Sequence, residues 1–200
     1  MKTIAVPAFN LRDMIESALL AAEKDTTLPT LCAVRVEWSE DGTFEVVATD
    51  RYKLIWGWTT LSNITEEAGG FLLDSHDAKA LVSALPKRRT IKSYEEAPDV
   101  YISLENGKVT FLWEGNTLAY VPKDGDFPKW RSLFSQERPE AAPEICFSSE
   151  HISMLGKVKA PSKLWDFKFS GSHKPAEAFS QVEEGFPSYR ILVMPVRKVR

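Results

Sequence analysis

One structural plan occurs three times in this chain of 200 residues, and this repetition restricts the possible folds more than any other feature. Each copy has a short apolar strand, an amphipathic helix and then several strands. The helical segments Ile15–Leu19 and Leu81–Leu85, with the sequences IESAL and LVSAL, look like the same helix written twice. Such self-similarity indicates that one supersecondary unit is used repeatedly along the chain.

Three helices are predicted from apolar residues at helical spacing. The first covers residues 10–22, with Asn10 as its N-cap. The second begins near Ser75 and is stopped by Pro86, because proline cannot continue a helix. The third ends by Pro161.

Alternating polar and apolar residues predict strands after each helix. The strongest turn signal is Asn106-Gly107, a pair typical of a tight β-hairpin. Strands are predicted at 32–38, 43–49, 54–60, 99–105, 108–114, 117–122, 144–149, 164–170, 176–182 and 190–196.

The predicted fold class is α+β, with three β-α-β-β-β units. Units one and two, residues 1–66 and 67–134, can pair their helices over a shared sheet and form one domain. A polar, proline-rich linker at 135–143 separates them from unit three, a half domain at 144–200. Unit three has no partner unit in the chain, so we expect its apolar helix face to be buried elsewhere, by another subunit.

The composition is that of a globular protein, with a net charge of −3 and 26% charged residues. This acidic balance argues against a general nucleic-acid coat but allows a local basic face. Signal-peptide and membrane-span patterns are missing, which favours a cytoplasmic location. Cys32 and Cys146 are predicted as buried small residues rather than a disulfide, as expected in a reducing compartment.

Three short motifs, in this order along the repeats, resemble the bacterial sliding clamp, the β subunit of DNA polymerase III. Residues 48–54, ATDRYKL, resemble the Ala-Thr-Asp-Gly-His-Arg-Leu motif of that family. Residues 124–131, DGDFPKWR, are similar to its Gly-x-Phe-Pro-x-Tyr-Arg domain ending, and residues 193–197, VMPVR, to its C-terminal Val-Met-Pro-Met-Arg. The resemblance covers nearly the whole chain, as a shortened form with the middle domain and the second half of the last domain.

The resemblance implies a DNA-clamp fold, with antiparallel sheets outside and helices on the inner, DNA-facing side. It also implies a hydrophobic groove that takes short peptides from polymerases, the clamp loader and repair proteins. Carried over by position, the groove residues are Leu31, Thr49, Arg51, Tyr52, Lys53, Leu54, Pro128, Leu133, Pro175, Leu192, Met194, Pro195, Val196 and Arg197. The apolar members would receive Leu or Phe side chains, and Lys53 and Arg197 would meet an acidic peptide residue.

Two departures from the family motif fall in the first wall of this groove. Arg51 replaces a glycine and Tyr52 replaces a histidine. If that glycine needs a positive φ, Arg51 is strained or the turn differs. The wall from the absent half domain is also missing, which implies a more open groove. Leu54→Asp is expected to abolish peptide binding and to leave DNA binding intact.

Basic residues cluster after each predicted helix. They have two interpretations: charge complementarity with the helix C-termini, or contacts to DNA phosphates that depend on salt and not on sequence. In the second interpretation the DNA-facing residues are Arg12, Lys24, Lys79, Lys87, Arg88, Arg89, Lys157, Lys159 and Lys163.

The sequence carries little that indicates catalysis. The three histidines are isolated, and metal-ligand and phosphate-loop motifs are missing, so no cofactor is expected. Most tryptophans lie in predicted strands, and Trp130 is expected to anchor the end of the domain rather than bind a ligand. We therefore expect a protein that is not an enzyme; an enzyme acting through Asp50 is the least favoured alternative.

Two functional hypotheses remain open. The first is a processivity factor that encircles or lies on double-stranded DNA and tethers polymerase or repair proteins, as a homo-oligomer. Three units per chain would tile a ring of twelve with four copies if unit three pairs across chains. The second is an adaptor or decoy that binds clamp-motif peptides without a ring. The shortness of the chain would suit a phage or mobile element.

Overall fold

A computed structural model describes residues 2–61, 67–87, 98–134, 145–171 and 173–196. Within these ranges the helices are α1 (Ala8–Ala18), α2 (Ser75–Ala84) and α3 (Ser149–Leu155). The strands are β1 (Lys2–Pro7), β2 (Ala33–Trp38), β3 (Thr43–Thr49), β4 (Lys53–Thr60), β5 (Gly69–Asp74), β6 (Asp99–Glu105), β7 (Lys108–Trp113), β8 (Asn116–Tyr120), β9 (Trp165–Lys168), β10 (Ala176–Ser180) and β11 (Ser188–Val193). The order of these elements agrees with three β-α-β-β-β units, except that unit three lacks its first strand.

The strands form two antiparallel sheets. One has four strands in the order β1-β6-β7-β8, and the other has seven in the order β5-β2-β3-β4-β11-β10-β9. Units one and two exchange their first strands: β1 pairs with β6 of unit two, and β5 pairs with β2 of unit one. This exchange makes the two units one domain.

Unit three continues the sheet of unit one. Its last strand, β11, pairs antiparallel with β4, so that Leu192 lies opposite Leu54 and Ser188 opposite Trp58. Unit three therefore packs on unit one, contrary to the expectation that it is buried only by another subunit. Among the described strands, however, none is exchanged with unit three in the way that β1 and β5 are exchanged between units one and two. The predicted linker and boundary, 135–143, lie outside the described residues.

One core cluster lies between the helices and both sheets. It includes Met14 of α1, Leu81 of α2 and Leu155 of α3, together with alternate residues of the strands. The backbone N–H of Lys159 also donates to Ser17 Oγ in α1, at 3.0 Å. Helix α3 is thus joined to unit one, and the core extends through all three units.

Two of the predicted helix starts have different outcomes. Helix α2 begins at Ser75 as predicted, and the Asp74 side chain caps it by accepting from the backbone N–H of His76 at 2.8 Å. Asn10 is not an N-cap, because α1 begins two residues earlier, directly after Pro7. Its Nδ2 instead donates to Thr59 Oγ1 at 3.4 Å in a buried contact. Strand β1 runs directly into α1, and no side chain among the described residues caps the start of the helix.

Two predictions for unit three are wrong. Residues 145–148 form no strand, and Cys146 is exposed, whereas Cys32 is buried. The 144–149 segment was predicted as a strand from its apolar residues, but a strand also needs a neighbouring backbone to pair with.

Candidate peptide-binding site

A second, smaller apolar cluster covers the face of the seven-stranded sheet that points away from the helices. Its buried members are Val47, Leu54, Trp130 and Leu192, and Trp56, Phe127 and Phe134 pack against them. We call this set the outer cluster. It arises from the two-residue period of strands: neighbours of these residues, such as Ile55 and Ile191, belong to the main core on the opposite face.

The segment after the second unit crosses this outer face and is fixed there by Trp130. Trp130 is only 3% exposed and begins a turn of 3-10 helix, Trp130–Leu133. Its ring centroid lies 4.9 Å from that of Trp56 and 6.0 Å from that of Phe134. These distances suit tilted and edge-to-face aromatic contacts. The prediction that Trp130 anchors the end of the domain is confirmed.

Arg131 attaches the same segment to two carboxylates of the sheet. Its Nη2 donates to Glu37 Oε2 at 2.8 Å and also to Glu45, while the guanidinium lies 4.3 Å from the Trp130 ring centroid. Burial raises the pKa of Glu45 despite this contact. Burial acts in the same direction on Glu37, but hydrogen bonds from Arg35 and Arg131 outweigh it and lower the pKa of that carboxyl. Removing Arg131 would leave two neighbouring carboxylates without this shared cation.

The ATDRYKL motif is a tight turn between β3 and β4 that is held by its own side chains. Asp50 Oδ1 accepts from the backbone N–H groups of Tyr52 and Lys53, at 3.0 and 2.9 Å. Thr49 Oγ1 donates to the Lys53 carbonyl at 2.8 Å and accepts from the Arg51 N–H at 3.2 Å. Asp50 is therefore engaged in turn formation, which leaves Arg51 and Tyr52 at the tip.

Arg51 has a left-handed backbone, with φ of 77°. This is the strained alternative of the two expected from the replacement of glycine. The side chain is 57% exposed, with Nη2 3.8 Å from Glu23 Oε2 and the guanidinium 5.8 Å from the Tyr52 ring centroid. The turn thus accommodates a large cation at a position with a left-handed backbone.

Arg51→Gly is expected to raise the free energy of unfolding by up to about 1 kcal/mol, because glycine tolerates positive φ without the Cβ clash. Urea denaturation measures this change. Lys53→Gly, at a β4 position without positive φ, is the control and should destabilise the protein. A loss of stability in Arg51→Gly would mean that the weak contacts to Glu23 and Tyr52 exceed the backbone strain.

The three sequence motifs meet around the outer cluster. The backbone N–H of Met194 donates to the Tyr52 carbonyl at 2.9 Å, which ties the C-terminal motif to the turn. The DGDFPKWR motif reaches the same place through Trp130. Its Gly125, with φ of 125°, packs so closely on Thr30 that a Cβ there would collide with the threonine methyl group. The loop preceding β2, which contains Leu31, is thereby brought against this motif.

The predicted groove residues fall into three levels of exposure. Leu31, Thr49, Leu54 and Leu192 are buried. Lys53, Pro175, Met194 and Pro195 are half-buried, and Arg51, Tyr52, Pro128, Leu133 and Val196 are exposed. Arg197 lies outside the described residues. The buried members form a floor, and only the half-buried and exposed members are accessible to a ligand.

The sequence analysis missed the aromatic part of this site. Trp56 was noted only as part of a predicted strand, and Phe127 and Phe134 were not assigned to the groove, yet all three pack against the outer cluster. Trp56 and Trp58 are two residues apart on β4, with ring centroids at 4.6 Å, and therefore share one face. A strand with tryptophan at alternate positions on the face away from the helices was the available signal.

The predicted DNA-facing residues have different surroundings. Lys24, Lys79, Lys87 and Lys157 are exposed, and Arg88 and Arg89 lie outside the described residues. Arg12 is 13% exposed, donates to the carbonyls of Val82 and Leu85, and pairs with Glu16. It therefore holds α1 against the end of α2.

The remaining two predicted DNA-facing residues are partly engaged within the protein. Lys159 Nζ lies 3.2 Å from Glu16 Oε1. Lys163 Nζ donates to the Val158 carbonyl, and burial lowers the pKa of its ammonium group. These contacts reduce the positive charge that the two lysines would present to a phosphate.

Comparisons with known proteins give a consistent assignment. The chain is 34% identical over 134 residues to a beta sliding clamp of Micrococcus luteus, which is 62% of this chain and 38% of that protein. It superposes on the DNA polymerase sliding clamp of Bacillus subtilis with a TM-score of 0.80 and 15% identity, over 98% of this chain and 64% of that one. The chain has the fold of the bacterial sliding clamps and is similar in sequence to one of them over 134 residues.

Further solved clamps support the same fold. A sliding clamp of Pseudomonas aeruginosa bound to griselimycin matches with a TM-score of 0.79 and 14% identity, over 98% of this chain and 65% of that one. The β subunit of Thermotoga maritima matches with a TM-score of 0.76 and 15% identity, over 100% of this chain and 66% of that one. No family model matches the chain. The clamp fold that the resemblance implied is confirmed, and the Micrococcus luteus and Bacillus subtilis proteins are named as sliding clamps.

The chain spans 38% of the curated clamp that it matches and about two thirds of the solved clamps. Among the described residues, α1 is the longest helix, and no helix has the length and apolarity needed to cross a membrane.

Proposed function

We propose that this protein is a clamp-like processivity factor, which encircles or lies on double-stranded DNA and tethers polymerase or repair proteins through the outer face of its sheet. The supporting observation is the convergence of three distant motifs on one apolar patch. The turn at 49–53, the segment at 127–134 and the end of β11 meet there through the Met194 to Tyr52 hydrogen bond and the packing of Trp130.

The patch has the properties of a site for a short peptide. Its floor consists of buried apolar side chains. Tyr52, Leu133 and Val196, in the three segments that meet there, are apolar and have exposures of 58, 50 and 40%. Exposed apolar side chains around a fixed floor offer contacts for one or two anchor residues of an extended ligand. Lys53 at the edge supplies a cation for an acidic ligand residue, although it is shared with Asp50. We infer a ligand with Leu or Phe anchors and one carboxylate.

Leu133→Asp is expected to weaken the binding of such a peptide at least tenfold. Losing one apolar anchor contact costs about 1.5–3 kcal/mol, and about 1.4 kcal/mol corresponds to a factor of ten in Kd. Fluorescence anisotropy with a labelled peptide that carries Leu, Phe and Asp measures the change. Leu112→Asp is the matched control, because Leu112 is 45% exposed but lies on β7 of the other sheet. Equal peptide affinity in the two variants would contradict the assignment of this surface.

The DNA-related part of the proposal rests on the inner face. Lys24, Lys79, Lys87 and Lys157 are exposed there or next to it, after or on the helices that the clamp fold places towards DNA. A clamp needs contacts of this kind that are independent of base sequence, because it must move along the duplex. Four copies with three units each would supply the twelve units of a ring, in a cytoplasmic setting where replication takes place.

An adaptor or decoy that binds the same peptides without a ring is the second candidate. The observation that favours it is that three of the nine predicted DNA-facing residues, Arg12, Lys159 and Lys163, are engaged in contacts within the protein. Retention on circular DNA separates the two functions. A ring is retained on closed circles and lost from linear DNA, whereas an adaptor is retained on neither.

A further inference from the structure

Among the described residues, the sheet edge of unit three lacks the exchanged strand that is present in units one and two. In those units, the residue just before each helix lies opposite the first residue of the partner unit's strand: Pro7 opposite Asp99, and Asp74 opposite Ala33. Each unit therefore donates its first strand and receives one. In unit three, β9 ends the seven-stranded sheet, and it pairs only with β10 among the described strands.

The segment that should be donated by unit three is already in position. The backbone N–H of Val196 donates to the Cys146 carbonyl at 2.8 Å. In unit two, the N–H of Lys123 donates to the Leu72 carbonyl at the same distance. The acceptors lie three residues before their helices, and the donors lie three residues after the last strands β11 and β8. Residues 145–148 thus occupy the place of β5, and what they lack is the counterpart of β2.

The residues at this edge are apolar, like those at the equivalent positions of units one and two, but they are much more exposed. The fourth helical residue is fully buried in unit one (Leu11) and unit two (Ala78), but Ile152 in unit three is 44% exposed. Val36, in the strand that receives the exchanged segment, is fully buried, whereas its equivalent Phe167 is 43% exposed. Unit three therefore keeps the side chains of a completed domain, but no segment among the described residues covers Ile152 and Phe167.

We propose that this edge is covered by unit three of a second copy of the same chain. Donor segment and receiving edge lie on one unit, so a twofold axis satisfies both at once, as required for an isologous interface. The register of the first domain carries over directly. It places Phe147 opposite the partner copy's Trp165, Ile145 opposite its Phe167, and Cys146 opposite its Asp166, and it turns 145–148 into a paired strand.

Pairing also removes two unfavourable features of the isolated chain, namely an open strand edge and the exposed aromatic side chains next to it. An open strand edge with exposed aromatic side chains invites uncontrolled association, and natural proteins usually cover such edges. Phe167 stacks on Phe169, with ring centroids at 5.9 Å, and Phe169 contacts Phe147 at 6.4 Å. These rings already form a continuous apolar strip from the receiving edge to the donor segment. The inference does not depend on peptide or DNA binding, so it can fail or succeed separately from the proposed function.

A disulfide between copies tests the register. In Asp166→Cys, the new thiol lies opposite the natural, exposed Cys146 of the second copy, at a cross-strand separation that a disulfide can span. We expect oxidised glutathione to convert most of the full-length protein into a covalent dimer, seen on non-reducing gels. Lys168→Cys, on the same strand face but two residues out of register, should cross-link at least tenfold more slowly. Cys146→Ser combined with Asp166→Cys should lose the dimer linked through Cys146.

The assembly itself is measured by light scattering of the unmodified chain. The expected mass is at least twice the 22.5 kDa of one chain. Ile152→Asp should increase the concentration needed for assembly at least tenfold, while Tyr101→Asp, at an equally exposed position on β6, should not. Circular dichroism establishes that each variant is folded. A monomeric mass at high concentration, or an Asp166→Cys dimer that forms no disulfide through Cys146, would overturn the proposal.

Discussion

Leu54→Asp is expected to unfold the protein or to lower its free energy of unfolding by about 4 kcal/mol or more, rather than simply to remove peptide binding. Leu54 is a β4 residue that is 2% exposed and lies opposite Leu192. Its side chain belongs to the same buried cluster as Trp130. Removing a buried leucine side chain costs about 2–5 kcal/mol, and placing a carboxylate in an apolar cluster adds a further penalty. Urea denaturation followed by tryptophan fluorescence measures the loss.

The exposed Leu133 is the matched position for this test. Leu133→Asp places the same charge at a leucine that is 50% exposed on the same surface, so we expect a change within about 0.5 kcal/mol. A folded Leu54→Asp protein with wild-type stability would show that the outer cluster is looser than its burial indicates. The structure thus moves the clean test of peptide binding from Leu54, where the sequence suggested it, to Leu133.

Trp130→Ala is expected to reduce the free energy of unfolding by about 3–5 kcal/mol, the usual cost of deleting a buried aromatic side chain. Trp130 closes the outer cluster over Leu54 and Leu192, contacts Trp56 and Phe134, and supports the cation of Arg131. Its loss would also release the 3-10 turn that carries Leu133. We therefore expect peptide affinity to fall together with stability.

Trp130→Phe and Tyr101→Ala are the controls for this variant. Trp130→Phe keeps an aromatic ring in the cluster and should retain most of both properties. Tyr101→Ala removes a ring that is 48% exposed on β6 and should change stability by less than about 1 kcal/mol. If Trp130→Ala loses stability but binds peptide normally, the floor of the site does not depend on the 127–134 segment.

The repeated units made most of the fold predictable. Strands β3 and β6 have the bounds expected from alternation, and α2 begins at Ser75 and ends before Pro86, as its helical spacing and proline signal indicated. These features are local, because the capping residue, the proline and the alternating residues act on their own segment. The α1 start was predicted wrongly at Asn10 because the helix continues directly from β1, and a buried contact to Thr59 uses the asparagine instead.

The site was only partly predictable for a related reason. Motif similarity brought together ATDRYKL, DGDFPKWR and VMPVR, and the structure places them around one apolar cluster. The sequence could not separate floor from rim, since Leu54 and Leu133 are both leucines in matching motifs. Their exposures, 2 and 50%, depend on which segment crosses the sheet and where Trp130 is inserted. The same limit concealed Trp56 and Phe134, whose positions next to each other result from packing between distant segments.

By itself, the sequence determined the three-unit plan, the α+β class and the resemblance to sliding clamps, because periodicity and short motifs depend only on consecutive residues. Tertiary structure decided that β11 continues the sheet of unit one through β4, that Arg51 takes a left-handed backbone, and that 145–148 remains unpaired as a strand. Strand pairing depends on which backbone is adjacent in space. The strand-like residues 145–148 of unit three are therefore in place, but none of the described strands pairs with them.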